Sequence, residues 1–512
     1  MRRELTLLAA LLALPAQAEP LFQPVAIPDH VYSGGWEHFV GGGLAVFDCS
    51  GDGLPELYAA GGENSGTLLR NTSDAKQIAF RKDTPDALAL RHVTGAYPLD
   101  LDSDGILDLI LLRAGSNVIL KGGPECSFSP FPDLGIAPAD NWTTAFSATW
   151  EGDNSLPTLA FGNYVDRDDP NGPFRACDTS YLYRPDGDTY AAPLPLDPGF
   201  CTLSMLFSDW GNTGRADLRV SNDRHYYVSG GAEQMWAMED SPRLLGEADG
   251  WQTHRLWGMG IAARDIDRDG DQEVFLTSMG DQRLQFLRDG ASGPDFTDAP
   301  YAMGSTATSP YTGGDGRPST GWHVAFGDVT NDGKDDVFIT KGNVDQMPDN
   351  AWKDPNNLLI QNADGSFAEA GKSAGLLSLH RGRGGALADL NGDGLLDVAV
   401  VNRRAAMEVW QNVSTDTGHW LSVDLRQPAA NTRAIGGWIE LDDGTTLQRR
   451  EITSGGGHAG GSAIAEHFGL GPAQSVRLRV IWPDGAASDW IEQPANQHLT
   501  LTRQGDTLSL NN

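Results

Sequence analysis

One nine-residue loop pattern recurs along this 512-residue chain and constrains its fold more than any other feature. Each copy lies between two short apolar segments. It carries an acid at position 1, an oxygen-bearing side chain at 3, an acid at 5, glycine at 6 and an acid at 9. Three copies are complete: Asp100-Leu-Asp102-Ser-Asp104-Gly105-Ile-Leu-Asp108, Asp265-Ile-Asp267-Arg-Asp269-Gly270-Asp-Gln-Glu273 and Asp389-Leu-Asn391-Gly-Asp393-Gly394-Leu-Leu-Asp397. Two vary at position 3: Asp48-Cys-Ser50-Gly-Asp52-Gly53-Leu-Pro-Glu56 and Asp328-Val-Thr330-Asn-Asp332-Gly333-Lys-Asp-Asp336. A worn copy keeps Asp209, Gly214 and Asp217. A seventh, over 150–158, keeps only the flanking apolar segments.

The copies start at 48, 100, about 150, 209, 265, 328 and 389, a period of 50 to 63 residues. That length suits one four-stranded propeller blade. The 62 glycines and the lack of a long amphipathic pattern favour short strands and turns over helices. Each period also has an outer half. A third apolar segment (Thr67-Leu-Leu-Arg-Asn71, Asn117-Val-Ile-Leu-Lys121, Asn357-Leu-Leu-Ile-Gln-Asn362) precedes a Phe-centred one at Phe80, Phe128, Phe296 or Phe367. The last repeat lacks its Phe segment, whereas the N-terminus has a spare one, Leu21-Phe22-Gln23-Pro24-Val25. The fold expected is therefore all-β: a seven-bladed β-propeller over 19–412, closed by its N-terminal strand, then a small β domain over 413–512. Closure removes exposed strand edges.

The loops have the chemistry of calcium sites. Calcium takes six to eight oxygen ligands at roughly 2.3–2.6 Å. Side chains at positions 1, 3 and 5 converge if the loop curls, and glycine at 6 permits the curl. Position 7 offers a carbonyl and the acid at 9 closes the shell. Asp, Asn and Gly also form ordinary turns, but five copies in one register set these apart. The expected ligands are Asp48, Ser50, Asp52 and Glu56; Asp100, Asp102, Asp104 and Asp108; Asp265, Asp267, Asp269 and Glu273; Asp328, Thr330, Asp332 and Asp336; and Asp389, Asn391, Asp393 and Asp397. This gives about five Ca2+ ions with a structural role, and a metal-free loop near 150.

The net charge of −32 argues against nucleic acid as a partner. The first residues, Met-Arg-Arg-Glu, an apolar run from Leu5 to Leu14 and Ala16-Gln17-Ala18, read as a cleavable signal peptide over 1–18. No later stretch is apolar enough for a transmembrane helix. The expected location is secreted or periplasmic. There the four cysteines, Cys49, Cys126, Cys177 and Cys201, can pair in three ways. Cys177 with Cys201 is favoured, as both lie between the third and fourth repeats.

Gly43-Leu-Ala-Val-Phe-Asp48 and Phe326-Gly-Asp328-Val-Thr-Asn-Asp-Gly333 resemble FG-GAP (VCBS-type) repeats of integrin-α-like propellers. Asn431-Thr-Arg433-Ala-Ile-Gly436, His467-Phe-Gly-Leu-Gly471 and Val480-Ile-Trp-Pro-Asp-Gly485 resemble the ASPIC/UnbV domain. Together they resemble the cartilage acidic protein 1 family. The resemblance implies a secreted calcium-binding protein with an adhesion or matrix role, and it implies no reaction. From the residues themselves, the C-terminal part reads as strands at 419–425, 438–441, 446–452 and 476–482, with a hairpin turn at Asp443-Gly444. The glycine-rich segment 454–462, which carries His458, reads as a flexible loop.

A second set of residues opens the strands that precede the acidic loops: Trp36 and His38, Arg91 and His92, His254, Arg255 and Trp257, Trp322 and His323, His380, Arg381 and Arg383. These are expected to ring the opposite channel mouth and to hold an anionic or sugar-like ligand, or a transition metal. The site residues so assigned are His38, His92, His254, Trp257, Trp322, His323, His380 and Arg383. No GxSxG, HExxH or isolated acid pair points to catalysis, so no catalytic residue is assigned. The function expected is a calcium-dependent module that binds an extracellular protein or glycan. The alternative is an enzyme acting at that mouth, such as a polysaccharide lyase or hydrolase.

Overall fold

The computed structural model describes residues 18–512 except 171, 173–174, 224–229, 312–315, 346, 506 and 512. The expected signal peptide, apart from its last residue, lies outside the described residues. Seven sheets succeed one another along the chain, each with four antiparallel strands, and the first gains a fifth, parallel strand from the C-terminal part. Their innermost strands are Leu44–Phe47, Val93–Leu99, Thr143–Thr149, Thr202–Ser208, Gly258–Arg264, Gly321–Gly327 and Arg381–Ala388. Each packs on the next, and the seventh packs on the first, so the ring closes. The sheets are called blades 1 to 7 in that order. Helix among the described residues is confined to 3-10 turns of three residues each.

Closure occurs as the sequence predicts. Phe22–Val25 is the outer strand of blade 7 and pairs antiparallel with Glu408–Asn412, Phe22 opposite Asn412. The innermost strands are buried on both faces, one turned to the channel and one to the next blade; all seven residues of Val93–Leu99 are buried. The Phe-centred strands appear at Phe80–Lys82, Ser127–Pro130, Phe296–Asp298 and Phe367–Glu369.

Both disulfides join neighbouring blades. Cys49, in the acidic loop of blade 1, bonds Cys126 of blade 2, and Cys177 of blade 3 bonds Cys201 at the entry to blade 4. Of the Asn residues in N-x-S/T sequons, Asn71 and Asn412 are buried and donate to backbone carbonyls, which leaves no room for a glycan.

The C-terminal domain is two four-stranded sheets. Leu421, Val423, Ile439, Leu441, Phe468, Leu478, Val480 and Trp482 form its core. Trp438–Asp442 and Leu447–Glu451 make the expected hairpin around Asp443-Gly444.

The glycine-rich segment corrects the sequence reading: it is a built element inside the propeller. Ser454 O accepts from Ala148 N–H of blade 3 (3.0 Å), and Gly456 N–H donates to Met205 O of blade 4 (2.7 Å). Gly457 N–H donates to Ile261 O of blade 5 (2.7 Å), and Ala459 O accepts from Ala96 N–H of blade 2 (3.0 Å). Ser462–Ala463 then pairs parallel with the inner strand of blade 1. His458 is fully buried. Its Nδ1 lies 3.1 Å from Met259 O, its Nε2 accepts from Gly41 N–H at 3.2 Å, and its ring meets Trp322 edge-on at 4.9 Å. Its backbone N–H donates to His323 Nδ1 at 3.1 Å. Close approach explains the glycines that open the inner strands. A Cβ at Gly43 would lie 1.7 Å from Ala459 O, and one at Gly95 2.2 Å from the same atom.

Candidate metal sites beneath the C-terminal domain

Each acidic loop joins the first and second strands of its blade, so the loops share one end of the ring. The glycines at position 6, Gly53, Gly105, Gly270, Gly333 and Gly394, have φ between +84° and +98°, a left-handed turn that other residues rarely adopt. That turn points the amide inward. Gly53, Gly105, Gly333 and Gly394 donate to the position-1 carboxylates of Asp48, Asp100, Asp328 and Asp389 at 2.6–3.0 Å.

The acid at position 9 ties the loop to its blade. Glu56, Asp108, Glu273, Asp336 and Asp397 are at most 2% exposed. Each accepts from the position-2 amide, those of Cys49, Leu101, Ile266, Val329 and Leu390, at 2.8–3.1 Å. In three blades the other oxygen accepts from the third strand: Asp108 from Gly122, Asp336 from Gln361 and Asp397 from Asn412, at 2.8–3.0 Å. A carboxylate oxygen bonded to one amide keeps a second lone pair for a cation.

Every one of the five loops also holds buried side-chain oxygens without a hydrogen-bond partner. They are Glu56 Oε1; Asp100 Oδ1 and Asp102 Oδ1; Asp265 Oδ1 and Oδ2; Thr330 Oγ1; and Asn391 Oδ1. Buried polar atoms are almost always paired, and these all belong to ligand positions 1, 3 or 9. In two loops three acids converge closely. One oxygen each from Asp100, Asp102 and Asp108 lie within 4.8 Å of one another, as do those from Asp265, Asp267 and Asp269. Glu56 also sits near Cys49 and Cys126, but those sulfurs are spent in a disulfide.

Burial pushes these acids toward the neutral form, and the neighbouring carboxylates add to it. Glu56 and Asp265 rise to about 6, Asp108 to about 7 and Glu273 to about 9. Asp100, Asp328, Asp336, Asp389, Asp393 and Asp397 also rise, with burial the first cause. A cation bound among them would favour their ionised form.

Sequence reasoning missed Lys121 in the 100 loop. Its ammonium binds Asp102 Oδ2 and lies 2.7 Å from Asp104 Oδ2, which leaves the Oδ1 atoms of Asp100 and Asp102 unpartnered within. In blade 3, where the in-register acids are missing, Arg184 holds Glu151 bidentately at 2.8 Å. In the worn loop of blade 4, Asp209 still accepts from Gly214 N–H at 2.7 Å, while Trp210 Nε1 donates to Asp217 at 3.0 Å.

The C-terminal domain sits on this face. Thr432 donates to Asp100, and Ser103 Oγ donates to Ala430 O at 2.7 Å. Glu451 accepts from Asp209 N–H at 2.8 Å. Arg449 donates to Gly270 O at 2.8 Å. His467 Nε2 is 2.7 Å from Asn331 Oδ1, and Arg450 pairs with buried Asp335 at 3.0 Å. A Cβ on Gly469 would lie 1.8 Å from Asp328 Oδ2. The Asn431–Gly436 and His467–Gly471 motifs are thus docking elements for the acidic loops.

The residues expected at the opposite mouth do not form one exposed ring. Trp322 and Arg383 are fully buried, the guanidinium 4.0 Å over the indole and hydrogen-bonded to Phe39 O and Asn343 O. His323 lies beside them and bonds the glycine-rich segment. His38 and His92 form a separate pair, 5.5 Å between ring centroids. His254 packs on Trp251 at 5.1 Å, Trp257 bridges to Asp223, and His380 is exposed. Phe39, Trp142 and Tyr164 pack the mouth between these groups.

Comparison with known proteins agrees with this architecture. The family profile of the FG-GAP-like repeat matches residues 48–111, and that of ASPIC and UnbV matches 427–508. Cartilage acidic protein 1 of Homo sapiens is 33% identical over 238 residues, 44% of this chain and 33% of that protein. The Mus musculus protein is 26% identical over 235 residues, 44% of this chain and 34% of that one. The match spans about a third of these relatives' length. Among solved structures, BBS1N in complex with ARL6DN aligns at TM-score 0.45 and 9% identity, covering 77% of this chain and 97% of that one. Rhamnogalacturonan lyase YesW aligns at 0.33 and 12%, covering 86% and 93%. The two disulfides fit an extracellular protein; among the described residues no helix is long and apolar enough to cross a membrane. The chain thus carries an FG-GAP-like repeat over 48–111 and an ASPIC and UnbV domain over 427–508.

Proposed function

We propose that this protein is a calcium-loaded extracellular binding module. Calcium in the five loops at 48, 100, 265, 328 and 389 stabilises the blade ends on which the C-terminal domain rests. The observation that carries this reading is the set of buried ligand-position oxygens without a hydrogen-bond partner, at least one in every one of those loops and of the type calcium selects, although Glu56 Oε1 also lies 3.8 Å from Arg70 Nε. The resemblance to cartilage acidic protein 1 supports adhesion or matrix interaction as the setting. The basic start, apolar run and Ala16-Gln17-Ala18 within residues 1–18, read as a leader, support export to the periplasm or the medium. Titrating chelator-stripped protein with Ca2+ should give close to five ions per chain. A stoichiometry of none or one would reject the reading.

A further inference from the structure

A cavity of about 750 Å3 lies between the acidic-loop face and the C-terminal domain, its wall completed by the glycine-rich segment. Small-ligand sites span roughly 300–1,000 Å3. Five arginines line this cavity, Arg264, Arg426, Arg433, Arg449 and Arg450, beside seven carboxylates that include Asp48, Asp265 and Asp389 of the loops, so an anion needs the arginine forks that those acids leave free. No lysine is among the described lining residues. Arginine presents a planar fork of N–H donors that matches an oxyanion.

Three of the five are committed. Arg450 holds Asp335 at 3.0 Å, Arg449 holds Gly270 O at 2.8 Å, and Arg426 grips both oxygens of Asp424 at 2.5 Å. The other two are underused. Arg433 reaches Asp424 only at 3.5 Å, beyond a good hydrogen bond, and that carboxylate is already held by Arg426. Arg264 reaches Glu466 at 3.4 Å, and its buried Nε has no partner. Their side chains keep 16% and 17% exposure, enough for a ligand to reach them. Arg264 comes from blade 5 and Arg433 from the C-terminal domain, so the cavity draws an arginine from both parts of the protein.

We propose that this interdomain cavity binds a small ligand bearing a carboxylate or sulfate group, such as an acidic sugar, with Arg264 and Arg433 as its anion-recognising residues. The proposal deepens the binding-module reading by placing its ligand site, and it does not require filled loops.

The test is calorimetric titration of the full chain, calcium-loaded and chelated, with glucuronate, galacturonate and N-acetylglucosamine 6-sulfate, against glucose as the neutral control. Calcium content is measured in the same samples. At least one acidic probe should bind, and glucose should not; which probe binds tells carboxylate from sulfate. Arg264→Gln and Arg433→Gln should each weaken binding by roughly tenfold to a hundredfold, the worth of hydrogen bonds to a charged group. Arg433→Lys keeps the charge, loses the fork and should fall between; it also serves if the glutamine variant does not fold. No binding by any acidic probe, equal binding of glucose, or unchanged binding in folded variants overturns the proposal. Ligand binding by protein that takes up no Ca2+ on calcium loading overturns the calcium reading alone.

Discussion

Replacing His458 by alanine tests whether the C-terminal domain and the propeller are one folding unit. The imidazole is fully buried in the channel. Its loss removes two side-chain hydrogen bonds, to Gly41 N–H and Met259 O, and an edge contact with Trp322. Each neutral hydrogen bond is worth about 1 kcal/mol net, and a buried donor left unpaired costs about 1–3 kcal/mol. Vacated ring volume adds a cavity cost of about 1–2 kcal/mol if the site collapses only in part. The sum is about 4–7 kcal/mol. The assay is urea unfolding followed by tryptophan fluorescence, with limited proteolysis of 453–463 alongside. The parent should unfold in one transition with the segment protected. His458→Ala should shift the midpoint by that amount and expose the segment to protease. A loss below about 1 kcal/mol with the segment still protected would refute the reasoning, because it would mean that the segment is held without its anchor.

Three further outcomes follow from the same geometry. Gly43→Ala forces a methyl group against Ala459 O, 1.7 Å from the ideal Cβ position, so it should expose the segment to protease as His458→Ala does. Lys121→Met removes the ammonium shared by Asp102 and Asp104, and it should raise the calcium affinity of that loop roughly tenfold at low salt, less at high salt, as read by titration. Glu233, buried beside Arg219 and Asp223, is pushed by burial from 4.5 up to about 7. Its folded pKa exceeds the unfolded value, so its contribution to stability is present below about pH 4.5 and is lost as pH rises through 7. Glu233→Gln keeps an acceptor for Asn222 N–H and cannot ionise. In urea unfolding it should show no gain at pH 4 and a gain on the order of 3 kcal/mol above pH 7.

Much of the ring was legible because each blade repeats one local requirement: a tight acidic turn between two buried strands. The missing Phe strand after Asn412 and the spare one at Phe22 disclosed the closure, since a ring must pair its last edge. The glycine-rich segment was not legible, because its order comes from inner strands of blades far apart in sequence rather than from its own residues. A signal for it did exist in Gly43 and Gly95, where a propeller strand has no local need for glycine. Lys121 was hidden because it lies a full strand away from the carboxylates it binds. Trp322 and Arg383 look like ligand groups in sequence, yet the same aromatic and guanidinium chemistry serves equally well to pack a closed channel mouth.

Melting of the full chain with and without a calcium chelator tests most directly whether calcium fills the loops. Stripped protein carries buried carboxylates crowded without a cation, so its unfolding temperature should fall by many degrees and recover on adding Ca2+ but not the same concentration of Mg2+, which tolerates such flexible oxygen cages poorly. The same melting temperature in chelator as in millimolar calcium would contradict it.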